Sequence, residues 1–178
     1  MENLVAISQG FGLAVACGLA AVLPLGILAA AALLGWLPGS IAVAAETPVL
    51  VAGWVIGVLE AAARAILPIP LRIATSALGG AVACEFALGS TLPFVGLILG
   101  SVIAAGTAWT TTRLVDRAIA SGGPRWGVTA LVAGASVVVA ALAIIPVVGL
   151  ILVGIMIWIG MRSRDDDQGR YAGLRVLR

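Results

Sequence analysis

The chain contains no histidine and no lysine; all ten of its basic residues are arginine. The missing histidine removes the commonest proton shuttle and the commonest metal ligand, so haem or zinc held by imidazole within this chain is excluded. Charge of either sign is scarce, at 10% of residues, and none falls between Glu2 and Glu46. An uncharged apolar stretch of ~18 residues or more reads as membrane-spanning, because only lipid solvates it. Cysteine is limited to Cys17 and Cys84, each isolated in an apolar run. Two thiols so placed read as small buried hydrophobes, not as a disulfide or a metal motif. The N-terminus has Glu2 and no arginine ahead of its first apolar run, so it lacks the positive region of a signal peptide, and the first segment is expected to stay in the mature protein. There is no nucleophile beside a base, no phosphate loop and no metal-ligand spacing, so neither an enzyme nor a cofactor protein is expected.

What is present is apolar. Of 178 residues, 62% are hydrophobic, and the mean hydropathy is +1.19. These values describe an all-α polytopic membrane protein, with room for about four to seven crossings at ~20 residues each. Five apolar blocks run over Leu4–Trp36, Pro48–Leu67, Ile73–Leu88, Leu92–Thr112 and Trp126–Met161. Proline, glycine and serine punctuate them at residues 37–40, 67–70, 89–91 and 121–124.

Arginine sets the expected orientation. Arg64 and Arg72 flank one turn; Arg113, Arg117 and Arg125 flank another; Arg162, Arg164, Arg170, Arg175 and Arg178 follow the last block. The turns at 37–47 and 89–91 carry none. This places the arginine-bearing turns and the C-terminus in the cytoplasm of a bacterium, with the chain in the inner membrane. The last block then starts and ends inside and must cross an even number of times. Its 36 residues would make a single helix of about 54 Å, too long for a ~30 Å core. A break at Pro146 resolves both points, and Pro24 breaks the first block likewise. Pro24 and Trp36 are twelve positions apart, as are Pro146 and Trp158. The expected layout is therefore three single spans flanked by two Pro-broken helical hairpins over residues 1–161, followed by a cytoplasmic tail over 162–178. A simple four- or five-span bundle is the alternative. Broken helices entering from opposite sides also fit an inverted repeat with a shared central site.

Few residues offer chemistry. Glu60 and Arg64 are four apart, acid first, the favourable order for a helical ion pair. They read as an anchor at the inner interface or as pathway residues. Glu85 stands late in its block with no basic neighbour in sequence, and an ionisable group inside a membrane helix is by default a functional candidate. Gly53 with Gly57, and Gly96 with Gly100, have the four-residue spacing that lets helix backbones approach, within one bundle or between copies. Arg113, Arg117, Arg125, Arg162 and Arg164 are placed to meet anionic lipid headgroups or a partner at the inner surface. Expected partners are the bilayer, other membrane subunits or further copies of the chain, with an apolar ligand, lipid or pigment as a further class; nucleic acid is not among them.

The element Gly18-Leu19-Ala20-Ala21-Val22-Leu23-Pro24-Leu25, followed by Leu59-Glu60, a Gly-rich third block and the Gly-rich run from Gly96 to Gly106, resembles the bacterial integral membrane family known as domain of unknown function 4126. The resemblance spans nearly the whole chain in order. It departs where the family has an early arginine and this chain has Ala20, and where acidic and Pro-Gly elements are replaced by the segment from Ala65 to Leu71. It implies a small bacterial inner-membrane protein and no particular activity. Two functions fit these features: a non-catalytic accessory subunit of a membrane complex, or a small transporter using Glu60 or Glu85 for coupling.

Overall fold

The computed structural model describes residues 2–34, 47–64, 66–88, 94–145 and 147–172, with side chains described except at 2–3, 31–33, 47–50 and 163–172. Among the described residues there are seven helices and no strands: α1 (Glu2–Leu19), α2 (Leu23–Leu33), α3 (Thr47–Ala63), α4 (Ile69–Leu88), α5 (Val95–Ala120), α6 (Arg125–Ala143) and α7 (Val148–Ala172). The first and last apolar blocks each supply two helices and the middle blocks one each. Among the described residues three helices, α4, α5 and α6, are long and apolar enough to cross a membrane.

The first break follows from proline chemistry. In a continuous helix the amide of residue 24 would bond the Ala20 carbonyl; Pro24 has no N–H, and its ring would strike that carbonyl. The chain therefore leaves the helix at Ala20–Val22 and restarts at Leu23. Pro24 itself sits in the first turn of α2, where a missing N–H costs no hydrogen bond. The second break separates Ala143 from Val148, and Val147 takes a positive φ of 75° there. Pro146, to which the sequence assigns this break, lies outside the described residues. The described part of α2 is 11 residues, about 16 Å, which is about half of a ~30 Å core.

α1 is the centre of the bundle and meets α4, α5, α6 and α7. Its glycines explain why. A methyl group on Gly10 would press on Cys84 and Ala87 of α4, one on Gly12 would strike Ala143 and Gly149 at the α6–α7 break, and one on Gly18 would strike Thr107 of α5. Three glycines on three faces let three neighbours close on one helix, and Leu13 to Cys17 are consequently almost fully buried.

The same contacts fix direction. Gly10 lies beside Cys84 and Ala87 while Gly79 lies beside Ala21, so α1 and α4 are antiparallel. Glu85 meets Gly96 while Gly80 meets Gly100 and Ala104, so α4 and α5 are antiparallel as well. α2 and α3 pair through Gly26 against Gly53 and Leu23 against Gly57.

Both small-residue stripes are thus spent inside the chain. Gly96, Gly100 and Ala104 are buried on α4, and Gly53 and Gly57 lie on α2. The expected tail also changes character: α7 continues to Ala172, so its first eleven residues extend the helix. No proline interrupts that stretch, and arginine and glutamine are good helix formers.

Candidate functional site

Breaking a helix orphans backbone groups. The last carbonyls of the first piece and the first amides of the second lose their partners, and inside a membrane no water replaces them. The chain's few polar side chains are found at these places.

At the first break, Glu60 of α3 and Arg64, the residue just past its end, form a lock. Glu60 Oε1 accepts from Arg64 Nε at 2.5 Å, and Glu60 Oε2 accepts the Ala21 amide of the break at 3.1 Å. Arg64 Nη1 donates to the carbonyl of Leu19, the last residue of α1, and Nη2 donates to Ser76 Oγ of α4. One planar guanidinium thus ties α1, α3 and α4, and its partner carboxylate holds the amide just past the end of α1. The pair is about 90% buried. The sequence reads the pair as an anchor at the inner interface or as pathway residues; in the fold Arg64 turns to orphan backbone, a strong demand in an apolar interior. A cavity of about 30 Å³ adjoins the lock, lined by Arg64, Arg72, Thr111, Thr112 and Thr129. That is room for about one water.

At the second break, Gln9 of α1 donates to the carbonyl of Ile144, the C-cap residue of α6, at 2.7 Å. The neighbouring Ser8 is 1% exposed, and its hydroxyl has no hydrogen-bond partner among the described residues. Leu19 and Gln9 are ten residues apart on α1, about 15 Å along its axis. One break therefore lies at the C-terminal end of the central helix and the other beside its middle, and they do not share a central site. Nor are the two broken blocks equivalent: α1 is buried along its middle, whereas α6 buries only Ser136, Ala140 and Ala143.

Glu85 solves a third end problem. Its Oε1 accepts the Phe94 amide at 2.9 Å and its Oε2 the Leu97 amide at 3.1 Å, at the N-terminus of α5. Phe94, the N-cap residue, has φ 66° and no capping side chain of its own, so the cap comes from the preceding helix. Carboxylate charge also complements the positive end of the helix dipole. Glu85→Ala is expected to cost about 1 kcal/mol, the usual value of a helix cap, and Glu85→Gln less because one acceptor remains. Thermal unfolding in detergent measures this, together with faster amide exchange at Phe94 and Leu97. Parent-like stability and exchange in Glu85→Ala would remove the capping role.

The arginines that the sequence assigns to the inner surface gather at the end of the bundle that holds the first break. The Thr111–Thr112 level of α5 and Thr129 of α6 line the small cavity with Arg64 and Arg72, and Gly160 of α7 lies beside Thr110 of α5. Arg113 stacks over Trp109 at 4.9 Å, and Arg162 over Trp158 at 5.4 Å. Arg117 and Arg125 extend the same end, and the side chain of Arg164 lies outside the described residues. Cys17 and Cys84 are free and buried, as small hydrophobes are.

Sequence reasoning missed Gln9, Ser76 and the α1 glycines. An amide and a serine side by side in an uncharged run were the available signal for the second break. No protein-family model matches this chain, and no curated protein or solved structure does either.

Proposed function

We propose that the chain is a non-catalytic, multi-pass protein of the bacterial inner membrane, three single spans flanked by two broken helical hairpins, that serves as an accessory or structural subunit of a larger membrane complex. The observation that carries this reading is where its polar groups are spent. Glu60, Arg64, Glu85 and Gln9 all bond backbone at helix ends. Moving a polar solute requires polar side chains converging on a path through the bilayer. Here they are divided among two breaks about 15 Å apart and the start of α5, and the cavity at the first break holds about one water. The transporter reading, which relied on both breaks meeting at one site, ranks behind for that reason.

Orientation with the C-terminus in the cytoplasm is supported by the gathering of Arg64, Arg72, Arg113 and Arg162 at one end of the bundle. The likeness of the Gly18–Leu25 element to domain of unknown function 4126 supports a bacterial inner-membrane setting.

Native mass after gentle extraction from the source membrane tests the proposal. A large assembly containing other chains is expected, and removal of the residues after Met161 should release the chain from it. A lone monomer or a small homo-oligomer would overturn the subunit reading and return attention to flux assays of Glu60→Gln and Glu85→Gln.

A further inference from the structure

A second feature owes nothing to the helix breaks. α5 and α7 separate and leave a groove of about 570 Å³ on the outside of the bundle, floored by Val15 of the central helix. That volume is in the range of ordinary ligand sites. Its walls are apolar over most of their length, from Ile103 on α5 and Val153 and Met156 on α7. One end is different: Thr107, Thr110 and Arg113 line it, with Met161 opposite. From Val102 to Arg113 the groove follows twelve residues of α5, about 16 Å and so roughly one leaflet of a ~30 Å core.

The polar end has the marks of a headgroup level. Trp109 and Trp158 are both about half exposed there, each under an arginine, and amphipathic indole rings settle at that depth. Each guanidinium carries five N–H donors in a fork suited to phosphate oxygens. Arg113 lines the mouth of this one-leaflet apolar groove, and Arg162 follows the lining residue Met161 on α7, stacked on Trp158; such an end is complementary to a molecule with a single anionic head and a long apolar chain.

We propose that the α5–α7 groove holds one acyl chain of an anionic phospholipid, with the lipid phosphate between Arg113 and Arg162. The site is an inner wall of the protein as much as a surface, since Val15 of the most buried helix forms its floor. It is independent of membership in a complex, so its test is separate from the one above.

Gly106 gives a clean probe. It lines the groove, and a Cβ built on it meets nothing within 4 Å. Gly106→Phe should therefore fill the groove without disturbing the helix packing. The full chain, purified in detergent, is incubated with phosphatidylglycerol, phosphatidylcholine or oleate and examined by native mass spectrometry. The parent should retain one phosphatidylglycerol in preference to phosphatidylcholine by roughly tenfold, in keeping with two basic residues at a lipid surface. Gly106→Phe should lose that molecule at unchanged melting temperature, and the pair Arg113→Gln with Arg162→Gln should erase the preference while keeping the fold. Equal retention of phosphatidylglycerol and phosphatidylcholine, oleate held as well as phosphatidylglycerol, or undiminished lipid in a folded Gly106→Phe would each overturn the proposal. Should Gly106→Phe fail to fold, the arginine pair decides: a preference surviving both substitutions refutes it.

Discussion

Arg64→Met is expected to destabilise the bundle by about 3–5 kcal/mol, the usual cost of leaving a buried charge without its partner. The Glu60 carboxylate would remain in a region about 90% closed to its surroundings, holding only the Ala21 amide. The Leu19 carbonyl and the Ser76 hydroxyl would lose the donor that now serves both. Arg64→Lys should fall between, because an ammonium on a single stem does not reproduce a planar fork directed at three acceptors. Adding Glu60→Gln to Arg64→Met should recover part of the loss, since the amide oxygen still accepts from Ala21 and no charge is stranded. A double-mutant cycle on reversible unfolding in detergent or bicelles would therefore show coupling of about 0.5–3 kcal/mol. An Arg64→Met protein as stable as its parent would mean that the guanidinium is solvated at the membrane surface, and the lock would not exist.

The Glu60–Arg64 pair also shows what a sequence can and cannot display. Their four-residue spacing on an apolar helix was enough to predict the ion pair, because it depends on one helix only. The inward turn of Arg64 depends on α3 passing beside the end of α1, a tertiary fact with no local trace. Pro24 behaves in the same way. Its missing N–H and its conflict with the Ala20 carbonyl fix a break from local chemistry, and length and parity argue for one in the last block. Whether two breaks meet depends on how α1 is packed. Gln9, ten positions before Leu19, places one beside the middle of that helix and the other at its end.

Glu85 was visible as an acid without a basic neighbour, and that isolation suggested a coupling residue. Its partners turned out to be amides nine and twelve positions later, at the start of the next helix. A lone carboxylate one turn before a helix–helix connection has the helix start opposite as an available partner, and that reading requires knowing that the connection is short and antiparallel. The glycines of α1 were hidden for a different reason. Gly10, Gly12 and Gly18 face different helices, so they do not show the four-residue spacing by which a single contact face is recognised. Gly96 and Gly100 do show it, since one helix, α4, covers both.

Those α5 glycines carry the second large effect. Gly100→Ala is expected to cost about 1–3 kcal/mol, the usual penalty of overpacking a close contact. Its new methyl would meet the Gly80 carbonyl oxygen and the Cys84 Cβ, and Gly80→Ala should do comparable harm from the other side, against Ala104 and the Gly100 carbonyl. Backbone bears the collision in both cases, so no side-chain rotation relieves it. Gly106→Ala, the same substitution less than two turns further along the same helix, should stabilise by up to about 1 kcal/mol, because its Cβ meets nothing and alanine is the better helix former. The opposite signs matter more than the sizes. A general dislike of added bulk in a membrane helix would move both variants the same way. A stripe used between copies of the chain would leave the monomer's unfolding unchanged in Gly100→Ala and lower its oligomeric mass instead. Only a stripe consumed by α4 within one chain makes Gly100→Ala unstable at constant mass while Gly106→Ala gains, and unfolding measured alongside native mass separates the three.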